Sequence, residues 1–281
     1  IATTLGGRYI MKEVYPYNFA EYLDAHQVAH TKTAQTATKT RAILQHHFDE
    51  YLQYGGFPEG INLPSKRDYL MSVYQKIYLG DIAARHRIEN AFALRFLFKK
   101  LSESIMQPLS FTRLANLITS TGSKISKATV INYMEYAKDS YLIFSIKNIA
   151  SHIAEREGNP KYYFVDNGII SLLTLNAESA LLENMVAMEL MRRYGQDNQV
   201  FFYNDKVEVD FYIPETGTAI QVSMYPHESD ETWRRETEAL VRMNKHLPCS
   251  THLLLTMNEE DTIIIDGITI HMIPIWKWLL N

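Results

Sequence analysis

The sequence predicts a mixed α and β fold in two parts, helical first and α/β after, on three observations. Apolar residues recur at helical spacing through much of residues 24–150, for example Tyr69, Leu70, Val73, Tyr74, Ile77 and Tyr78. The character then changes, and short apolar runs of strand length appear at 161–165, 200–204, 207–213, 218–224, 251–256, 262–265 and 268–273, around two helical stretches at 178–194 and 230–246. The composition, 46% hydrophobic and 21% charged over 281 residues, is that of a globular protein large enough for more than one core.

The same composition excludes several classes. A net charge of −4 provides no overall basic field for nucleic acid, although a local basic surface remains open. The single cysteine, Cys249, rules out an internal disulfide and a multi-cysteine zinc site, and favours a reducing compartment. No apolar run approaches the ~20 residues that cross a bilayer, and the first residues lack a signal-peptide layout. The expected location is the cytoplasm. The chain opens at Ile1 in mid-pattern, which reads as a fragment of something longer.

Element by element, residues 1–23 hold the Gly6-Gly7 turn, Arg8, and Tyr15-Pro16-Tyr17-Asn18-Phe19. Pro16 keeps Tyr15 extended, and Asn18 is placed to cap a helix over Phe19–Ala25. A helical pattern from Ala34 to Leu52 ends at Tyr54-Gly55-Gly56-Phe57-Pro58-Glu59, where glycine and proline punctuate the chain. Segment 108–150 runs helix, Thr121-Gly122-Ser123 turn, helix from Ser126 or Lys127, then the apolar strand Tyr141–Ile146. That is the order of a helix-turn-helix with a wing, and it carries five basic residues against two acidic ones. Lys124, Lys127 and Asn132 are its candidate nucleic-acid contacts, although Val130, Ile131, Tyr133 and Met134 leave the second helix few polar positions. A polar loop at 151–160 marks a soft boundary. The organisation expected is a 1–23 remnant of a preceding domain, a helical region at 24–150 and an α/β domain at 151–281.

The residues suited to chemistry lie in that last region. Glu183 falls in a helix, Asp210 in the strand Val207–Ile213, and Gln221 and Ser223 in the strand Thr218–Met224. If the two strands pair as a hairpin about Pro214–Gly217, Asp210 lies beside Gln221. This layout resembles the PD-(D/E)XK nuclease-like superfamily, in which a helical Glu, a strand Asp and a Glu-X-Lys pair assemble one magnesium site. There the oxygens hold the metal and the lysine stabilises charge on the attacked phosphate. Glu183 and Asp210 match. Gln221 stands in place of the second carboxylate and Ser223 in place of the lysine. Loss of such an electrostatic stabiliser costs ~10²–10³ in rate, so the site reads as degenerate. Glu183, Asp210 and Gln221 remain its candidate metal ligands, and Arg234 or Arg235 a substitute cation.

Several motifs in order resemble a group of bacterial and archaeal AAA-type ATPases. Tyr15-Pro16-Tyr17-Asn18-Phe19-Ala20-Glu21-Tyr22-Leu23 is similar to the segment closing their ATPase core. Tyr51-Leu52-Gln53-Tyr54-Gly55-Gly56-Phe57-Pro58-Glu59 is similar to a signature just downstream of it. Asp81-Ile82, Asp166-Asn167-Gly168, Leu182-Glu183-Asn184 and Glu208-Val209-Asp210-Phe211 continue the series into a C-terminal domain of unknown function. The resemblance implies ATP and Mg²⁺ in an intact protein, bound by an upstream domain, with Arg8 placed near the nucleotide or simply beside a surface turn. No phosphate-binding G-x-x-x-x-G-K-[ST] loop occurs in the 281 residues, so no cofactor is expected on this stretch itself. The expected function is an accessory portion of such an ATPase, with nucleic acid or another protein as partner. The alternatives are a DNA-binding winged-helix module and, more remotely, a metal-dependent nuclease. His26/His30 and His46/His47 read as solvated helix positions, and Trp276 and Trp278 as anchors of the last residues.

Overall fold

The computed structural model describes residues 12–150, 159–195 and 199–281. Arg8 and its Gly6-Gly7 turn, and most of the 151–160 loop, lie outside the described residues. The architecture is mixed α and β: a helical first half leads into an eight-stranded mixed sheet flanked by further helices.

Helix α1 (Phe19–Ala25) begins where its cap predicts. Asn18 Oδ1 accepts from the Glu21 N–H and Glu21 returns a hydrogen bond from the Asn18 N–H, both at 2.8 Å, a complete capping box. The stretch expected as one helix from Ala34 is two, α2 (Lys32–Thr36) and α3 (Thr38–Tyr54), separated by an extended Ala37. After the glycine pair come α4 (Lys66–Gln75), a widened π-type continuation (Lys76–Ala84) and α5 (Ala91–Ser102). Leu70, Tyr74 and Tyr78 are buried along one stripe, and Tyr69, Val73 and Ile77 flank it half-buried. Helices α6 (Phe111–Ser120) and α7 (Lys127–Asp139) are capped by Ser110 and Ser126, whose hydroxyls accept from backbone N–H groups three residues on.

Strand β1 (Ile143–Asn148) follows α7 and enters the large sheet, antiparallel to β2 (Lys161–Phe164) on one side and parallel to β3 (Phe201–Asn204) on the other. Between β2 and β3 lie α8 (Asn167–Leu173) and α9 (Glu178–Tyr194). Strands β4 (Glu208–Ile213) and β5 (Thr218–Ser223) form the expected hairpin, with Phe211 opposite Ile220 and Ile213 opposite Thr218. Helix α10 (Asp230–Met243) then crosses to β6 (Thr251–Thr256), parallel to β5. β7 (Asp261–Ile265) and β8 (Ile268–Pro274) close the sheet in the order β2-β1-β3-β4-β5-β6-β8-β7. A last turn of helix, α11 (Ile275–Trp278), buries both Trp276 and Trp278.

One apolar cluster runs from Phe19 and Tyr22 through α5–α7 to Phe164, Leu182, Phe211 and Trp276. A second lies beneath α10, where Leu240 and Met243 pack with Val209, Tyr212, Leu254 and Met272. Among the described residues no helix is long and apolar enough to cross a membrane. The His26/His30 pair differs from the helical expectation. α1 stops at Ala25, so the histidines do not share a helix face. His26 packs on the Tyr22 and His47 rings, and His30 Nε2 lies 2.9 Å from Asp24.

Candidate functional site

Asp210 lies on β4 with its own N–H donating to Gln221 Oε1 at 3.1 Å, so the hairpin places these two side by side as expected. Asp210 Oδ2 accepts from the Val222 N–H at 3.0 Å. α9 brings Glu183 to the same point, where Glu183 Oε1 accepts from the Tyr163 hydroxyl at 2.8 Å. Ser223, at the end of β5, is buried in the wall of the same cleft and contributes no charge.

The decisive residue was not singled out in the sequence. Lys161, the first residue of β2, has no exposed surface, and its Nζ lies 3.2 Å from Asp210 Oδ1, 3.4 Å from Glu183 Oε1 and 3.5 Å from Glu208 Oε1. Burial works against the ammonium, but Glu183, Asp210 and Glu208 together outweigh it and hold Lys161 protonated well beyond the ordinary lysine range. Burial likewise pushes the Glu183 carboxyl up, with Lys161 pulling it back, to about 7. The local signal was a lysine two residues before a tyrosine in an otherwise apolar strand. Alternation puts Lys161 and Tyr163 on one face, and both reach Glu183.

This donor set does not fit a divalent metal ion. Lys161 already supplies a cation between the carboxylates, 3.2 Å from Asp210 Oδ1, so a divalent ion placed there would be repelled, and Gln221, in the position of the missing carboxylate, is neutral. Among the described residues no group of three or more His, Cys, Asp or Glu side chains is arranged to hold a metal. Of the two arginines considered as substitutes, Arg235 lines the cleft but is committed to its neighbour Glu236 at 2.6 Å. Arg234 is exposed and does not line it.

The cleft beside Asp210 has a volume of about 700 Å³ and lies between the start of α9, the β4–β5 hairpin and α10. Glu236, on the buried stripe of α10, is a second residue that sequence reasoning missed. A glutamate three and four positions from Trp233 and Leu240 sits on the apolar face, a pattern readable in hindsight. Burial raises the Glu236 carboxyl above its usual range, and Arg235 opposes this.

The remaining candidates lie elsewhere. Lys124, Lys127 and Asn132 are all exposed, before and along the first turns of α7, while Val130, Tyr133, Met134 and Ala137 are buried on its other side. Glu183, Glu208 and Asp210 apart, several of the motif residues converge away from the cleft, around Asp166. Asp166 accepts from the Gly56 N–H and the Gly168 N–H, both at 2.8 Å. Asn167 donates to the Leu52 and Leu181 carbonyls, and Asn184 both donates to Asn167 Oδ1 and brackets the Phe164 peptide. Arg192 donates to the Pro16 and Tyr17 carbonyls, and the Tyr51 hydroxyl also donates to Tyr17.

Residues 45–180 match a family described as a domain of unknown function (DUF8612). Over its whole length the chain is 32% identical to the uncharacterized protein MJ1544 of Methanocaldococcus jannaschii, covering 66% of that protein. It is 27% identical to an uncharacterized protein of Haemophilus influenzae, covering 67% of it. The chain thus spans about two thirds of the length of these curated relatives, and no solved structure matches it.

Proposed function

We propose that this chain is the accessory, non-cleaving portion of a larger AAA-type ATP-binding protein, built on a nuclease-like α/β body behind a winged-helix segment. The observation that carries the non-cleaving part is Lys161. A buried ammonium held by Glu183, Glu208 and Asp210 stands among the carboxylates that would otherwise gather a magnesium ion. A second positive ion at that point would meet direct Coulomb repulsion in a water-poor setting. The nuclease-like reading is supported by the meeting of Glu183 with Asp210 and by the β4–β5 hairpin. The ATPase reading is supported by the ordered motifs along the chain, with ATP and Mg²⁺ belonging to an upstream segment of the intact protein.

A magnesium-dependent cleavage assay on single- and double-stranded DNA, with Asp210→Ala as control, tests the first part. Wild type and variant are expected to be indistinguishable from buffer, and cleavage lost on Asp210→Ala would overturn the reading. ATP hydrolysis by the full-length protein tests the second part.

A second reading, DNA binding through α7, is favoured by the exposure of Lys124, Lys127 and Asn132 together. Mobility shifts at two salt concentrations test it. Phosphate contacts give an affinity that falls steeply with salt and weakens on Lys124→Ala with Lys127→Ala.

A further inference from the structure

Two histidines meet where α1 docks on α3. His47, expected as a solvated helix position, is half-buried, and its ring lies 4.9 Å from that of His26, the residue that ends α1. Tyr22 completes the group, its ring 4.6 Å from His26 and 6.1 Å from His47. His26 Nε2 and His47 Nδ1 are both buried, and neither has a hydrogen-bond partner among the described residues. A neutral imidazole carries its proton on one nitrogen and leaves the other bare. An imidazolium carries a proton on both, so each buried nitrogen here would become a charged donor without an acceptor.

The groups facing the pair do little to compensate that charge. They are Tyr22 of α1, His46 and Glu50 of α3, and Lys66 of α4. The Glu50 carboxylate is already shared, its Oε2 accepting from the Tyr22 hydroxyl and from Lys66 Nζ, both at 3.3 Å. Burial holds both histidines below the ordinary value of 6.5. Lys66 acts in the same direction on His26, and His26 on His47, with Glu50 opposing.

The element placed to respond is α1. Its seven residues are too few to hold a helix without tertiary contacts. Phe19, Tyr22 and Leu23 are buried, with Phe19 against the Phe48 and Tyr51 rings and Tyr22 against Tyr51. We propose that the His26–His47 contact is an acid-sensitive latch, which holds α1 on α3 while both rings are neutral and opens as they take up protons. The docked helix binds fewer protons at these rings than the released one. The latch is therefore full above about pH 6.5 and weakens as pH falls below it, by up to about tenfold per pH unit for each histidine. Phe19 and Leu23 stay apolar at any pH, so acid enlarges a minor released population and leaves the rest of the fold in place.

Amide hydrogen exchange of the whole chain between about pH 7.5 and about pH 5, corrected for the intrinsic pH dependence of exchange, tests the proposal. The amides from Tyr22 to His26 are expected to lose protection about tenfold or more relative to those of α7 over that range. Referring α1 to α7 of the same molecule removes the pH dependence of global unfolding, including the part due to buried Asp166. His26→Phe with His47→Phe keeps a ring at both positions and should abolish the loss. His271→Gln, at an exposed histidine on β8, should leave it as in wild type. Should the double variant fail to fold, NMR titration of the wild-type imidazoles decides, with both expected to titrate below 6.5. Either ring titrating at or above 6.5, α1 protection constant with pH, or an equal loss in the double variant would overturn the proposal.

Discussion

Lys161 has no exposed surface and three carboxylates within 3.5 Å, so its positive charge is the counterweight to a buried negative cluster. Removing one partner of a buried ion pair typically costs about 3–5 kcal/mol because the other is left uncompensated. Lys161→Met should therefore lower the unfolding free energy measured by urea titration by an amount of that order, and adding Glu183→Gln should recover part of it. A Lys161→Met protein as stable as wild type would show that the cluster holds together without its cation. Asp166 presents a different residue-scale problem. Burial pushes its carboxyl from 3.8 up to about 7, against two backbone N–H donors that favour the anion. Between about pH 4 and pH 7 the folded chain holds a proton there that the unfolded chain has released, so this group's contribution to stability is lost as pH rises through that window. Asp166→Asn should cost about 1–3 kcal/mol at pH 5 through its weakened pair of acceptors. Its stability should also change less with pH between 4 and 7 than the wild type's, as followed by denaturant melts across that range. Gly55 fits the same corner for a steric reason. Its φ is +74°, and a Cβ there would lie 1.8 Å from Asp166 Oδ1.

At the scale of elements, the helix caps were legible because they are local. Asn18, Ser110 and Ser126 each accept from a backbone N–H three residues on, within one turn and with no help from distant chain. Asn18→Ala should cost about 1 kcal/mol, measurable as a shift in the thermal midpoint, since it removes one half of a complete capping box. The strands were legible for a related reason: alternating or continuous apolar runs bounded by turn residues match β4, β5, β6 and β8 closely. The break at Ala37 and the widened winding over Lys76–Ala84 were not, because no proline or glycine pair announces either. The bounds of α1 were read as Phe19–Ala25 and stand, so the i, i+4 spacing of His26 and His30, taken alone, did not place them on a helix.

At the scale of the molecule, the ordered motifs are the joint between its helical and sheet-bearing parts. The Tyr15-Pro16-Tyr17 segment is held by Tyr51, Gly56 and Arg192, and the Tyr17 N–H donates to the Gly56 carbonyl at 2.8 Å. Gly56 is held by Asp166, and Asn167 links Leu52 to Leu181 and Asn184. Together with β1 pairing to β2 and β3, this predicts that residues 12–150 and 159–281 do not fold independently. Expressed separately, neither should show cooperative unfolding, whereas a chain cut within 151–158 should stay associated on gel filtration. Two separately cooperative fragments would contradict this. The sequence by itself determined the class of the longer helices and of most strands, much of their order and the β4–β5 hairpin that sets Asp210 beside Gln221, because periodicity, capping and turn chemistry act over a few residues. Only the tertiary structure decided what surrounds Asp210. Lys161 is 22 residues from Glu183 and 49 from Asp210, and Glu236 comes later still. Charges so far apart in the chain meet only once the sheet order is set, and that order follows from burial of the whole core, not from any local pattern.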